Sequence, residues 1–277
     1  MSFGDTSEYF FAFDTWMRWQ AANRWIFDRD VIRQMIAGIA KNGLRDPVYG
    51  AIPPSEIEIS GTNYRETISA RGLNSRTRAL MSVAVDLAGP ENRDFDVYAP
   101  EYTTPFADRM REHFPKFVGS EYFENAEQLA QYQKQHPDCA HQDVLALTYP
   151  DNSFDLYISS EVIEHVPSVP KTLSEAQRIL RPGGYLIATF PFSYVHEQSH
   201  HKARLTKDGI EYLTDPEYHG NPMSDKGSLV FSIPGWDILE TSKAAGFSDR
   251  AIKFVSSTSR GSMGAEVAGV FILVARA

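Results

Sequence analysis

The sequence predicts an α/β protein, in which buried strands alternate with amphipathic helices. Two short apolar runs rich in strand-forming residues, 154–159 (FDLYIS) and 185–190 (YLIATF), each follow a turn. Between them, apolar residues recur at helical spacing from Leu173 to Leu180, and the pattern ends at Gly183-Gly184. A strand, a helix and a second strand in this order form the building unit of an α/β domain.

Composition and charge narrow the class of protein. The chain has 277 residues, 42% of them hydrophobic and 23% charged, which suits one large folded domain with an extension. The net charge of -9 argues against a nucleic-acid partner. No apolar run approaches the roughly 20 residues of a membrane helix, and the N-terminus lacks the features of a signal peptide. With the single Cys139, we expect a cytoplasmic protein that acts on a small molecule; the oligomeric state is left open.

The first 62 residues predict a helical extension rich in aromatic side chains. Residues 15–41 have a helical pattern that is interrupted by a helix-start signal at Asp28 and ends at Asn42-Gly43, before a connecting loop over 47–61. Aromatic residues this dense either pack the helices onto the next domain or line a pocket. An aromatic face attracts a cation, so such a pocket would suit a cationic group. The candidates for lining it are Tyr9 and Trp16 as substrate contacts and Tyr64 as a catalytic residue.

A polar, basic segment over residues 63–79 precedes the first strand of the main domain. Asn74 or Ser75 can cap a helix that runs to about Ala88 with apolar residues on one face. A helix N-terminus favours an anion, and an arginine in the first turn adds a fork of donors. We therefore expect an anionic group of a substrate or cofactor to be held here, or else ordinary capping of a solvated helix; the residues concerned are Arg71, Asn74, Ser75 and Arg76.

Residues 143–184 carry the most specific pattern of the chain. They contain DVLALTYPDNSFDL, then EVIEHV, then LRPGG. This order closely resembles the second half of a class I S-adenosylmethionine (SAM) methyltransferase domain. The resemblance implies SAM as cofactor and a Rossmann-like fold over residues 63–277, with a seven-stranded, mostly parallel sheet flanked by helices and the helical extension over 1–62.

The resemblance also implies which residues contact the nucleoside part of SAM. A carboxylate at the end of the second strand, Glu121, would hold the ribose hydroxyls, with Tyr122 beside it. Asp143 would accept a hydrogen bond from the adenine amino group, since an ionised acceptor strengthens such a bond. The remaining residues expected at the cofactor are Val144 and Leu145 against the adenine, and Ser160 and Glu161 at the end of the central strand.

The first half of the expected cofactor site departs from the family. Typical members have a glycine-rich loop that lets the backbone approach the methionine part of SAM. Residues 94–106 contain no glycine, and the side chains of Glu101 and Thr103 would replace backbone contacts before a helix begins at Pro105. Arg76 is a further candidate for the carboxylate of SAM. Three readings follow: ordinary methyl transfer to a metabolite, a SAM cyclase or lyase that forms azetidine-2-carboxylate and methylthioadenosine, or a catalytically silent SAM-binding domain.

Residues 194–232 are expected to form an insertion on the substrate side, because in this broad family the segment after the fourth strand shapes the acceptor site. We predict His219 as a general base, since histidine titrates near neutrality, and Tyr218 and Arg204 as substrate contacts. The alternative is a hydrogen-bonded loop anchor. The histidines here have irregular spacing and lack a cysteine partner, so the sequence predicts no metal site.

Overall fold

The structure, a computed structural model, describes residues 5–221, 224–264 and 266–277. The helices are α1 (Phe13–Ala22), α2 (Arg29–Asn42), α3 (Tyr64–Thr67), α4 (Ser75–Ala88), α5 (Pro105–His113), α6 (Ala126–Tyr132), α7 (Val169–Ile179) and α8 (Ile238–Ala244), with 3-10 turns at Arg24–Phe27, Pro54–Glu56 and Ile163–His165. The strands are β1 (Thr6–Phe10), β2 (Leu44–Asp46), β3 (Gly50–Ile52), β4 (Ile57–Ile59), β5 (Ile68–Ala70), β6 (Asp96–Ala99), β7 (Lys116–Glu121), β8 (Ala140–His141), β9 (Phe154–Ser160), β10 (Leu180–Thr189), β11 (His200–His201), β12 (Ala203–Thr206), β13 (Gly209–Tyr212), β14 (Tyr218–Asn221), β15 (Ser224–Leu229), β16 (Ser232–Ile233), β17 (Asp249–Ser256) and β18 (Val270–Arg276).

The central sheet has eight strands in the order β1-β17-β18-β10-β9-β6-β7-β8. Strands β6 and β10 pair with β9 in parallel, and β8 pairs with β7 in parallel. The predicted Rossmann-like, mostly parallel sheet is confirmed, but the expected count of seven strands is wrong. One of the eight, β1, lies in the segment predicted as helical. It pairs antiparallel with β17, with Thr6 opposite Ser256, because the strand-forming residues of TSEYF extend a sheet edge.

The chain divides into two compact units. Unit 1 comprises the chain up to Asp96, Thr103–Phe117 and Ala251–Val274, and unit 2 comprises Val97–Tyr102, Val118–Arg250 and Ala275–Ala277. The boundary predicted between residues 62 and 63 stays a prediction. None of the helices within the described ranges combines the length and apolar character that a membrane-spanning helix needs.

Within unit 1, the helical part of the N-terminal extension follows its predicted caps. The Asp28 carboxylate accepts two backbone N–H groups at the start of α2, and Gly43, with φ of 82°, ends that helix. Trp16 on α1 is fully buried. Its ring lies 5.1–5.7 Å from four aromatic rings, those of Phe10, Trp19, Phe254 and Phe271. Trp16 therefore packs the core, and the substrate contact expected of it has no exposed surface to use.

Helix α4 of unit 1 starts as predicted. Asn74 is its N-cap and forms a capping box with Thr77, in which each side chain bonds the other residue's backbone N–H. Arg78 in the next turn is buried and donates to the carbonyl oxygens of Leu73 (2.8 Å) and Gly261 (3.3 Å). Burial lowers the pKa of Arg78 to about 10. This arginine of the basic segment is thus a structural group.

Within unit 2, β9, α7 and β10 form the predicted strand-helix-strand unit. Ser168 caps α7. Strand β10 begins at Leu180, before the predicted turn, and its register with β9 shifts between Leu180 and Tyr185. Gly184 lies in that irregularity, and a Cβ there would come within 2.9 Å of the Asp155 carbonyl oxygen. The predicted Gly-Gly turn is therefore a bulge inside the strand.

The insertion over 194–232 in unit 2 consists of small antiparallel pairs: β11 with β16, β12 with β13, and β14 with β15. It is also tied to the 3-10 turn Ile163–His165, since the Phe231 N–H donates to the Glu164 carbonyl oxygen at 2.8 Å. Paired strands hold the side chains of this segment in a defined register.

Candidate active site

The predicted ribose-binding carboxylate stands at the carboxyl end of β7 in unit 2. Glu121 is half-buried, and its Oε1 accepts the backbone N–H of Tyr102 at 2.9 Å. The Gln142 N–H donates to the Glu121 carbonyl oxygen at 3.0 Å. Glu121 therefore connects the loop after β6 with the segment after β8. Tyr122 is 60% exposed, and its ring lies 5.5 Å from that of His141.

Asp143 lies two residues beyond β8, in a tight turn. Its Oδ1 accepts the Leu145 N–H at 2.8 Å, and its carbonyl oxygen accepts the Ala146 N–H at 2.8 Å. The carboxylate is half-buried, Val144 is buried and Leu145 is half-buried. This turn fixes the carboxylate of Asp143 next to an apolar surface, an arrangement suited to a purine with an exocyclic amine.

An arginine that the sequence analysis did not single out secures the chain after Asp143. Arg178 of α7 donates to the carbonyl oxygens of Leu147 (2.9 Å) and Tyr149 (2.8 Å). It also bonds Glu175 Oε2 at 2.8 Å, and that carboxylate accepts the Leu147 N–H at 2.8 Å. The hydrogen bond from Arg178 lowers the pKa of Glu175. The Glu-x-x-Arg spacing on α7 was the available signal, since residues three apart on a helix are neighbours.

The glycine-free loop leads into α5 as predicted. In unit 1, Thr104 Oγ1 accepts the Ala107 N–H at 3.1 Å, and Pro105 is the first helical residue. A glycine from another part of the unit meets this helix start: Gly72, with φ of 82°, lies so close that a Cβ would be 3.0 Å from Pro105 Cβ. Glu101 and Thr103, the predicted substitutes for backbone contacts, are half-buried.

The predicted anion-binding segment of unit 1 contains its own carboxylate. Glu66 accepts hydrogen bonds from Asn74 Nδ2 (2.7 Å), Arg76 Nε (2.8 Å) and Arg65 Nη1 (2.7 Å). Tyr64, at the start of α3, is half-buried beside this cluster in the sequence. The internal carboxylate neutralises part of the positive charge that the sequence offers to a ligand.

The other two residues predicted in this segment have partners inside unit 1. The Arg71 guanidinium bonds both oxygens of Glu56, at 2.6 and 3.2 Å. Ser75 is fully buried, and its hydroxyl donates to the Met263 carbonyl oxygen at 2.7 Å. Ser75 therefore joins α4 to a distant loop of the same unit, and its burial leaves no surface for the expected substrate contact.

A buried carboxylate and two histidines converge after β9 in unit 2. Glu164 has no exposed side-chain surface. Its Oε1 lies 3.6 Å from His165 Nε2 and 3.9 Å from His219 Nδ1. His219 Nε2 lies 3.0 Å from Glu217 Oε1. Burial lowers the pKa of His165. The predicted base, His219, thus stands between two carboxylates, which can orient its ring.

Three predicted residues of unit 2 are exposed or conformationally unusual. Arg204 bonds both oxygens of Glu211 across the β12–β13 hairpin, at 2.7 and 3.0 Å. Tyr218 is 52% exposed, and a hydrogen bond with Tyr212 raises its pKa. Glu161 follows Ser160 at the end of β9 with φ of 56°. A non-glycine residue in this region is uncommon and is often found at functional sites.

Tyr9 on β1 of unit 1 already faces a cation. Lys253 Nζ lies 4.1 Å from the centre of its ring and donates to its hydroxyl at 2.8 Å. Tyr9 remains 43% exposed. The expected attraction between an aromatic face and a cation is thus present, with a lysine of the same unit as the cation.

Comparisons with known proteins find similarity to methyltransferases over part of the chain. Residues 102–188 match the model of a family described as a methyltransferase domain. A ubiquinone/menaquinone biosynthesis C-methyltransferase (UbiE) from Dinoroseobacter shibae is 51% identical over 45 residues, 16% of this chain and 18% of that protein. A malonyl-(acyl-carrier protein) O-methyltransferase from Halorhodospira halophila is 39% identical over 62 residues, 22% of this chain and 21% of that protein. The matches span about a fifth of these relatives.

The solved structures that match this chain have low sequence identity to it. A SAM-dependent methyltransferase from Mesorhizobium loti has a TM-score of 0.43 and 15% identity, covering 72% of this chain and 98% of that one. The N-methyltransferase NodS from Bradyrhizobium japonicum, solved with S-adenosylhomocysteine, has a TM-score of 0.39 and 13% identity. The match covers 73% of this chain and 84% of that one. The family match therefore shows that residues 102–188 are similar to a methyltransferase domain.

Proposed function

We propose that the chain is a SAM-dependent methyltransferase that acts on a small or medium metabolite. The observation that carries the proposal is the pair of carboxylates that follow adjacent parallel strands within the matched region. Glu121 ends β7 and Asp143 comes just after β8. Carboxyl ends of parallel strands form the nucleotide-binding edge of open α/β sheets. The net charge of -9 favours a metabolite over a nucleic acid, and the single cysteine favours the cytoplasm.

The residues of unit 2 suit a nucleoside with a vicinal diol and an exocyclic amine. Glu121 is half-buried and held by the Tyr102 N–H, which supports its carboxylate as the acceptor for the ribose hydroxyls. Asp143 is held by the Leu145 N–H, with buried Val144 beside it for the adenine face. SAM supplies the activated methyl group, and the protein aligns it. The other cofactor contacts of this proposal in unit 2 are Glu101, Tyr122, Ser160 and Glu161.

The acceptor side of the proposal is the insertion of unit 2. His219 lies 3.0 Å from Glu217 Oε1, which supports it as the group that takes a proton from the acceptor. Exposed Tyr218 and Arg204 on neighbouring hairpins are the proposed substrate contacts. The roles expected for residues of unit 1 stay predictions: Tyr9, Tyr64, Arg71, Asn74, Arg76 and Thr103. The matched family and the relatives are methyltransferases, so they favour neither the cyclase nor the silent-domain alternative.

Incubation of the purified protein with SAM alone tests the proposal. The nucleoside content is analysed by mass spectrometry, and binding is measured by isothermal titration calorimetry. We expect intact SAM to be bound and to yield S-adenosylhomocysteine only when an acceptor is supplied. Formation of methylthioadenosine without an acceptor would make SAM itself the substrate and would overturn the proposal. Failure to bind SAM at all would also overturn the proposal and would favour a catalytically silent domain.

A further inference from the structure

The cluster of Glu164, His165 and His219 has the features of a metal site. Its ligand-type atoms, one from each residue, all lie within 4.8 Å of one another, and all three residues belong to unit 2. Glu164 is fully buried, whereas the side chains of His165 and His219 are 16% and 32% exposed. A carboxylate without exposed surface needs a positive partner close by, because charge is costly to bury.

The hydrogen bonds of the two imidazoles fix which nitrogen faces Glu164. His165 Nδ1 lies 2.9 Å from the Leu229 carbonyl oxygen, which only accepts, so Nδ1 carries the proton and Nε2 faces Glu164. His219 Nε2 lies 3.0 Å from Glu217 Oε1, so its Nδ1 faces Glu164. In the neutral rings, both facing nitrogens present lone pairs. Two lone pairs and a carboxylate then point at one another, an arrangement that a positive ion between them would stabilise.

We propose that Glu164, His165 and His219 bind one divalent transition-metal ion. Ligand bonds of about 2.0–2.2 Å place neighbouring atoms around tetrahedral Zn²⁺ about 3.4 Å apart. The Glu164 oxygen lies 3.6 and 3.9 Å from the two nitrogens, so small side-chain movements close the site. Two imidazoles favour Zn²⁺ and its neighbours over Mg²⁺, which prefers oxygen ligands. Three protein ligands leave room for a water or a substrate atom.

The groups around the cluster are those that orient metal-binding histidines. A carboxylate or a backbone carbonyl on the far nitrogen fixes the tautomer of such a histidine. Glu217 serves His219 in this way and is itself held by Lys202 Nζ at 2.6 Å. Sequence spacing predicted no metal because His219 lies far from Glu164-His165 in the chain. Strand β14 carries His219 and β15 carries Leu229, and their pairing places Tyr218 opposite Leu229.

A metal ion would change the role of His219. As a ligand, His219 is not the base, and an acceptor hydroxyl at the open position of the ion would lose its proton more readily. That hydroxyl oxygen would form the new bond to carbon as the bond between the SAM sulfur and its methyl group breaks, and its proton would pass to solvent. This consequence, a hydroxyl-bearing acceptor, rests on the proposed methyl transfer, whereas metal binding does not.

The test measures metal uptake by the full chain, prepared without a histidine tag and stripped with a chelator. The protein is dialysed against ZnCl₂, MnCl₂ or MgCl₂ in separate experiments, and the bound metal is counted by mass spectrometry. We expect about one Zn²⁺ per chain, and binding that is lost as the histidines protonate at low pH. CoCl₂ provides a second readout, because bound Co²⁺ absorbs visible light according to its ligands. Absence of stoichiometric Zn²⁺ or Co²⁺ binding would overturn the proposal.

Substitution of the proposed ligands tests whether these residues bind the metal ion. His165→Gln and His219→Gln should abolish stoichiometric Zn²⁺ binding, and Glu217→Gln should weaken it about 10- to 100-fold. His201→Gln, an exposed histidine of the same insertion, is the matched control and should bind as the wild type does. Equal binding by His219→Gln and the wild type, with both folded by circular dichroism, would overturn the site. SAM binding by the same samples is measured separately, so its loss would count against the proposed function alone.

Discussion

Replacement of Arg178 by alanine should loosen the turn that carries Asp143. The guanidinium of Arg178 donates to the Leu147 and Tyr149 carbonyl oxygens at 2.9 and 2.8 Å, just after that turn. Neither carbonyl belongs to a strand ladder, because this stretch of unit 2 is turn and coil. The order of residues 143–149 therefore depends on a side chain of α7.

The size of the effect follows from these bonds. A hydrogen bond from a charged donor contributes about 1.5–3 kcal/mol, so the two carbonyl bonds together contribute about 3–6 kcal/mol. The side chain of Arg178 is 30% exposed, so water can replace part of the hydrogen bonding that the substitution removes. We therefore expect Arg178→Ala to lower the free energy of unfolding by about 3 kcal/mol, the lower end of this range. The pair with Asp151, which is 68% exposed, adds little. Arg178→Lys should lower the free energy of unfolding by about half as much, because an ammonium group cannot reach both carbonyl oxygens.

Urea unfolding followed by circular dichroism measures the loss, and calorimetry measures SAM binding. Arg181→Ala is the control, because the ion pair of Arg181 with Asp155 is partly exposed and should contribute about 1 kcal/mol or less. We expect Arg178→Ala to raise the Kd for SAM about tenfold, since a mobile Asp143 must be ordered on binding. An Arg178→Ala protein as stable as the control, with the wild-type Kd, would refute the reasoning.

Three further predictions concern other described residues. Trp16→Ala should lower the free energy of unfolding by about 3–5 kcal/mol, measured in urea, and an unchanged stability would argue against its core role. Glu121→Gln should raise the Kd for SAM about 10- to 100-fold by calorimetry, whereas exposed Glu124→Gln should leave it unchanged. Arg178 lowers the pKa of Glu175 from 4.5, so this carboxylate stabilises the fold above about pH 4.5 and ceases to do so as the pH falls through its folded-state pKa. Urea midpoints from about pH 6 to about pH 3 should fall less steeply in Arg178→Ala, and equal slopes would contradict the assignment.

Features that depend on a few neighbouring residues were predicted correctly. The caps at Asp28 and Asn74 form as expected, since each needs only a side chain and the next turn of helix. The unit of β9, α7 and β10 follows from its apolar periodicity. Strand β1 was missed because its five residues, TSEYF, become a strand only beside β17.

The sequence by itself determined the alternation of strands and helices, the helix caps and the carboxylates at the ends of β7 and after β8. Each of these is encoded within a short window of the chain, through periodicity, capping or a shared motif. Only the tertiary structure decided that Trp16 is buried, that Arg178 secures the turn after Asp143, and that His219 meets Glu164 and His165. Those contacts depend on strand pairing and helix packing between distant segments, and local sequence patterns do not specify which distant side chains will meet.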